Sequence, residues 1–197
     1  MVDFKTSQTK DNLMRAFAGE SQARNRYTFA AGMAVKQKQH MIADVFLFTA
    51  NQEKEHAEIF YNHLQQLAGE TIFIDGGYPI DISEEVISLL KSAHHNEYEE
   101  YQDVYQNFSE IAKQEGFLKV AQDFKNIAEI EKTHGDRFQE IAALLENNQL
   151  YVSNVTCQWM CLNCGFIYEG TAVPERCPVC DHDQGYFIRI ELAPYTK

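Results

Sequence analysis

The sequence is short of basic residues: 17 Lys and Arg stand against 29 Asp and Glu, a formal net charge of −12. That balance argues against nucleic acid or an anionic membrane as a partner. No run of about 18 apolar residues occurs, so no membrane span is expected. Residues Met1 to Thr6 lack a basic segment followed by an apolar one, so no secretory signal is visible. The first 156 residues contain no cysteine; all five lie between Cys157 and Cys180. Four of them form two Cys-x-x-Cys pairs, which in an unsecreted protein read as metal binding before disulfide. A cytoplasmic protein is the default. At 197 residues the chain can form one ordinary domain and a small appendage.

What is present is helical periodicity. One pattern runs from about Thr9 to Lys36, with Leu13, Ala16, Phe17, Ala23, Tyr27, Ala30, Ala31 and Ala34 inward. A second runs from about Met41 to Ala68, with Gly69 placed to end it. Only a polar hinge near Gln37 to His40 separates them, so they should pack antiparallel. A connection from Gly69 to Ile82, irregular at Gly76-Gly77-Tyr78-Pro79, is long enough to cross the end of a bundle. Ser83 reads as the N-cap of a third helix with Glu84 and Glu85 in its first turn. That helix carries Val86, Leu90, Ala93, Glu97, Glu100, Val104, Phe108 and Ile111 along one side. Gly116 separates it from a fourth, striped by Val120, Phe124, Ile127, Ala128, Glu131, His134, Phe138, Ile141 and Leu145.

Within these apolar stripes, ionisable residues intrude. Glu53-Lys54-Glu55-His56 sits inside the run Phe46, Thr49, Ala50, Ala57, Phe60, and Glu131-Lys132-Thr133-His134 repeats the spacing among Ile127, Ala128 and Phe138. A carboxylate facing a core is costly unless charge or hydrogen bonds offset its desolvation. An i, i+3 pair puts both side chains on one helix face, where they can grip a metal. Glu20 precedes the first motif at nearly the distance by which Glu97 precedes the second. Two similar hairpins, with Glu100 as an extra acid on the third helix, imply a pseudo-twofold bundle whose acids meet at mid-height. Five carboxylates and two imidazoles suit two bridged cations better than zinc, which favours four ligands rich in His and Cys. A single Glu-x-x-His on an acidic helix is ordinarily a solvated face, as Glu55, Glu58, Glu99, Glu129 and Glu140 read; two motifs on apolar stripes reverse that. Tyr27 and Tyr105 read either as core or as partners of a ligand carboxylate. His94 shares a side with Glu97 and stays open as a contact of the site; His95 reads as solvated.

From about Asn147 the helical pattern fails. Residues 149–156 read as a linker or lone strand between a bundle over 1–148 and a β-type module over 157–197. Cys161-Leu162-Asn163-Cys164-Gly165 and Cys177-Pro178-Val179-Cys180 form two knuckles fit for a tetrahedral tetrathiolate site. Spacing leaves structural zinc and redox iron open. The possible redox site upstream and the aromatics Trp159, Phe166, Tyr168, Tyr186 and Phe187 favour iron. Cys157 reads as a spare thiol.

Taken together, these residues resemble rubrerythrins over nearly the whole chain. Ala18-Gly19-Glu20-Ser21-Gln22-Ala23-Arg24-Asn25-Arg26-Tyr27 resembles that family's first-helix signature. Glu53-x-x-His56, Glu97-x-x-Glu100 with Tyr105 and Phe108, and Glu131-x-x-His134 resemble its remaining bundle positions. Trp159, Cys161, Cys164, Gly165, Gly170, Pro174, Cys177, Pro178, Cys180 and Phe187 resemble its rubredoxin-like domain. The resemblance implies a mainly α fold, a ferritin-like antiparallel four-helix bundle with a small C-terminal rubredoxin-like β module. It implies two iron ions in the bundle and one iron held by Cys161, Cys164, Cys177 and Cys180. It further implies reduction of hydrogen peroxide to water, protecting against oxidative stress, with electrons ultimately from NADH through a separate reductase or rubredoxin. A homodimer in which one tail approaches the other bundle is implied as well. By the same mapping Glu53 and Glu131 bridge the irons, Glu20 serves the first and Glu97 with His134 the second. Glu100 and His56 exchange on the first iron as its oxidation state changes, and the seven residues together are the catalytic set. The chain departs from the family at His94, His95 and Asn96, where small residues are common, and at Gln106 and Asp183, where proline is frequent.

Two other readings stay open on the sequence alone. One is a ferroxidase that handles iron, against which the appended electron-transfer module argues. The other makes the tail a zinc ribbon and the chain a scaffold.

Overall fold

The computed structural model describes residues 2–193; Met1 and residues 194–197, the two ends of the expected bundle and module, lie outside the described residues. Five α-helices and a small sheet make up the fold: α1 Gln8–Lys36, α2 His40–His63, α3 Val86–Glu99, α4 Tyr105–Glu115, α5 Leu118–Glu146, β1 Val152–Cys161, β2 Ile167–Ala172 and β3 Phe187–Arg189. A π-helical turn, Glu100–Val104, joins α3 to α4, so the two act as one long rod. The α1–α2 hairpin and the α3/α4–α5 hairpin pack together as a four-helix bundle. None of the helices among the described residues is long and apolar enough to cross a membrane.

Local sequence explains where the elements begin and end. Ser7 caps α1 by accepting a hydrogen bond from the Lys10 amide, and Gly116, in the left-handed region at φ 92°, ends α4. α2 stops at His63, earlier than the apolar pattern suggests, and a 3-10 turn over Gln65–Leu67 carries Leu64 and Leu67 into the core. Burial there is satisfied by the tighter turn as well as by helix. At the third helix the cap is Glu85, because Ser83 spends its hydroxyl on a local turn, accepting from the Glu85 amide at 3.0 Å.

The π turn corrects the expected stripe of the third helix. An inserted residue rotates the helix beyond it, so Tyr105 and Ala112 are buried while Val104 and Ile111 are only half-buried. Leu145 likewise packs against the core without being fully buried.

Two apolar clusters fill the bundle. One, around Tyr27, Phe46, Leu90, Phe138 and Ile141, lies toward the α1–α2 hinge. The other, around Leu13, Phe60, Tyr105, Phe124 and Ile127, lies toward the opposite end. Between them is a layer of buried Glu20, Glu53, His56, Glu97, Glu131 and His134.

The sheet has the order β2-β1-β3 and is antiparallel throughout, with β1 central. β1 begins within the 149–156 stretch, and its register shifts between Val152 and Cys157. Trp159 and Phe187 form the centre of a third apolar cluster. The module rests on the hinge of its own bundle: Tyr186 stacks on His40 with ring centroids 4.0 Å apart, and Ile188 joins the hinge-side core. Gly185 makes this approach possible, because a Cβ there would run into the Lys38 carbonyl oxygen. Gly185→Ala is therefore expected to cost about 1–3 kcal/mol by overpacking and to loosen the module. Limited proteolysis should find new cleavage near residues 149–151; a variant as protease-resistant and heat-stable as the parent contradicts this docking.

Candidate metal centres

Each of four helical segments delivers its part of the mid-height layer. α1 brings Glu20, α2 Glu53 and His56, α3 Glu97, and α5 Glu131 and His134. The structure gathers them into two groups, Glu20, Glu53, His56 and Glu131, and Glu53, Glu97, Glu131 and His134, each able to place donor atoms within 4.8 Å of one another. Glu53 and Glu131 belong to both. Glu131 turns Oε1 to His56 Nδ1 at 2.9 Å and Oε2 to His134 Nδ1 at 2.8 Å. Glu53 does the same with Oε2 and Oε1, each at 3.0 Å. The imidazoles lie nearly parallel, with centroids 5.7 Å apart and planes 16° apart.

These approaches are close but not aligned as hydrogen bonds. Eight buried donor atoms have no hydrogen-bond partner: Glu20 Oε2, both oxygens of Glu53 and of Glu131, Glu97 Oε2, and Nδ1 of His56 and His134. Such orphaned atoms in an apolar core are a strong liability unless a cation takes them. Oxygen donors with two imidazoles suit a pair of transition-metal ions.

Neighbouring groups fix the ligand orientations. Tyr105 Oη donates to Glu20 Oε1 at 2.5 Å, and Tyr27 Oη donates to Glu97 Oε1. Each terminal carboxylate thus keeps one oxygen for the centre. His134 Nε2 lies 3.1 Å from Gln52 Oε1, which selects the tautomer with Nδ1 free to bind. Sequence reasoning misses Gln52, because a polar residue beside a motif carries no periodic signal of its own.

The other flagged residues are elsewhere. Glu100 belongs to neither group; it lines a cavity on the outer side of the layer. His94 turns Nδ1 to the Gly135 carbonyl at 2.9 Å, toward the α5 backbone. His95 lies 3.4 Å from Glu99 at the surface.

The electrostatics show how much positive charge the layer needs. Burial, reinforced by the Glu131 and Glu53 carboxylates, pushes Glu20 well above the usual carboxylate range. Burial, then the Glu53 carboxylate, raises Glu97 to about 8. Burial would lower His56, but the Glu131 and Glu53 carboxylates overrule it and hold the ring at about 10. Burial would raise Glu131, but the two imidazoles win and bring it to about 2. Protons thus stand where cations would.

The module's thiols meet in the same manner. Cys161 and Cys180 Sγ are 3.7 Å apart, as are those of Cys164 and Cys177, with all four free of disulfides. The knuckles close through Gly165 N–H to the Cys161 carbonyl at 2.8 Å and Asp181 N–H to the Cys177 carbonyl at 2.9 Å. Both closing residues take positive φ, 77° and 61°. Asp181 is held there by Arg176, which reaches both its carboxylate oxygens. Burial pushes the Cys161 thiol up to about 12, whereas the His182 amide helps hold Cys180 down to about 6. Cys157 stands apart, with its sulfur 3.9 Å from the Gly170 carbonyl.

Two donor sets of this kind on one chain agree with the comparisons. The sequence profile of the rubrerythrin family matches residues 11–142, and that of its rubredoxin-like domain matches residues 159–188. The chain belongs to the rubrerythrin family. It is 40% identical to a rubrerythrin of Clostridium perfringens over 95% of this chain and 96% of that one. It is 37% identical to a rubrerythrin of Nitratidesulfovibrio vulgaris over 95% and 96%. Among solved structures, fully reduced, all-ferrous nigerythrin superposes with a TM-score of 0.63 at 26% identity, over 93% of this chain and 90% of that one. As in a rubrerythrin, the cofactors are two iron ions at the carboxylate–imidazole layer and one iron at the four cysteines.

In the metal-free protein the layer makes stability depend on pH. Glu97, raised from 4.5 to about 8, and His56, raised from 6.5 to about 10, hold protons that the unfolded chain gives up earlier. Their contribution to stability therefore falls as pH rises from 4.5 to about 8 for Glu97, and from 6.5 to about 10 for His56. Glu131 acts oppositely, contributing above 4.5 and losing that contribution as pH falls through about 2. Chelator-stripped protein should melt at a lower temperature near pH 9 than near pH 6, and iron loading should release protons. An unchanged or higher melting temperature at the upper pH contradicts the proton-filled layer.

Proposed function

We propose that this chain is a cytoplasmic non-haem di-iron peroxidase that reduces hydrogen peroxide to two waters and protects against oxidative stress. The observation that carries this reading is the sharing of Glu53 and Glu131 between two donor groups in a chain that also has a four-thiolate site. Bound at the layer, the iron pair supplies two electrons and Lewis acidity. The protein's own part is to hold and orient. Glu53 and Glu131 would hold both ions, Glu20 and His56 one of them, and Glu97 and His134 the other. Tyr27 and Tyr105 hold the terminal carboxylates, and their phenolic protons stay in place because burial and the facing carboxylates raise both hydroxyls well above the usual range. Burial likewise raises Glu100, with the Glu97 carboxylate adding, and we assign Glu100 the acid–base role beside the layer. Glu100 and His56 are the two residues we assign to exchange on the first position; His56 lies among the buried donors and Glu100 outside both groups.

Residues 1–148 are the catalytic bundle on this reading, 149–156 the linker and 157–197 the electron-transfer module. Electrons reach the module ultimately from NADH, through a reductase or rubredoxin. The module rests at His40, thirteen residues before Glu53 on α2, hence about 20 Å away along the helix axis. That separation supports a reading in which the module of a second copy serves the layer, in a homodimer. Its surface supports this. Phe73, Ile80 and Ile82 are 89%, 83% and 91% exposed on an extended connection between α2 and α3.

Metal analysis should find about three irons per chain if both donor sets fill. Peroxide should reoxidise the reduced four-thiolate iron, followed by its visible colour, and Glu131→Ala should slow this at least about a hundredfold. Unchanged reoxidation in that variant removes the bundle from the chemistry. Ile82→Lys should shift the protein toward monomer by sedimentation; a dimer that persists in it places the interface elsewhere.

A further inference from the structure

A small substrate has to reach a layer sealed above and below by aromatic clusters. One cavity approaches it from the side. It has a volume of about 240 Å3 and lies between α1, the Gly76–Pro79 part of the connection, and the π turn. Glu100 and Tyr105 line its inner end; Tyr105 is the residue that holds Glu20. Gln22, two residues past Glu20, also lines it, and its side-chain nitrogen is buried with no hydrogen-bond partner. A buried amide N–H left without an acceptor is a place for a ligand that brings one.

The outer wall is built to stay in position. Tyr78 Oη donates to the Arg15 carbonyl at 3.1 Å, while the Arg15 guanidinium holds Asp75 through its carbonyl at 3.0 Å and its carboxylate at 2.7 Å. The Tyr78 ring lies back over Gly76, where a Cβ would come within 2.9 Å of its hydroxyl. The ring also lies beside Gly19, next to Glu20. The ring therefore forms part of the mouth.

Resting on the peroxidase reading, we propose that this cavity is the entry chamber for hydrogen peroxide, with the Gln22 amide donating to one peroxide oxygen and Glu100 accepting from the other. Each oxygen of the substrate is both donor and acceptor, so one amide N–H and one carboxyl oxygen can hold it at its two ends. Tyr78 limits passage through the mouth.

Azide, a small linear acceptor, is the probe. Iron-loaded, oxidised protein is titrated with azide by visible absorption, alongside peroxide kinetics. Gln22→Leu keeps the volume and removes the donor. It should weaken azide binding about tenfold and raise KM for peroxide similarly, with kcat little changed and iron content equal to the parent's. Tyr78→Ala, away from every proposed ligand, should speed azide association with little change in affinity. Equal azide affinity and KM in an iron-replete Gln22→Leu protein overturns the chamber, as does an unchanged association rate in Tyr78→Ala. A parent protein whose bundle takes no iron overturns the peroxidase reading itself and is recognised before any variant is compared.

Discussion

Four buried carboxylates meeting between two apolar clusters set the terms for this fold. Glu20, Glu53, Glu97 and Glu131 have been taken out of water with only two imidazoles among them. Such a layer is stable only with added positive charge, supplied by protons or by metal ions. The apolar clusters on either side close the helix ends around the layer and keep water from relieving it. Helix placement, tyrosine hydroxyls and imidazole tautomers all serve the same need, each turning a donor inward. Metal binding and folding in this bundle are for that reason parts of one equilibrium.

Much of this is legible in the sequence because the relevant signal is a violation of pattern. Ionisable residues inside apolar stripes named Glu20, Glu53, His56, Glu97, Glu100, Glu131 and His134; the structure gathers six of these seven and leaves Glu100 outside both groups. The four rods of the bundle, the hinge at Gln37–His40 and the break at Gly116 are likewise readable from periodicity and turn residues, whereas the π turn that divides the third rod into α3 and α4 is not. What cannot be read is whatever leaves periodicity intact. Val104 and Ile111 fit an uninterrupted α pattern as well as Tyr105 and Ala112 fit one with an inserted residue. Leu64 and Leu67 look helical yet are buried from a 3-10 turn. Gln52 contributes through one contact across the bundle, which no local pattern encodes.

The module is ordered differently. Its core is small, and its two knuckles close through backbone hydrogen bonds to the Cys161 and Cys177 carbonyls. Of the two knuckles, one closes with Gly165 and the other with Asp181, a residue that tolerates the left-handed region at some cost. There the Arg176 guanidinium reaches both of its carboxylate oxygens.

The π turn at Glu100–Val104 has a wider effect than its five residues suggest. Two matched hairpins would give two interchangeable metal positions. One residue inserted on one side puts that hairpin out of phase with its counterpart and sets Glu100 at the cavity beside the layer, an acid with no counterpart on the other hairpin. The centre therefore has a front and a back. An acid with no opposite number makes the two sides of the layer unequal in charge, so two like ions placed there would not be equivalent.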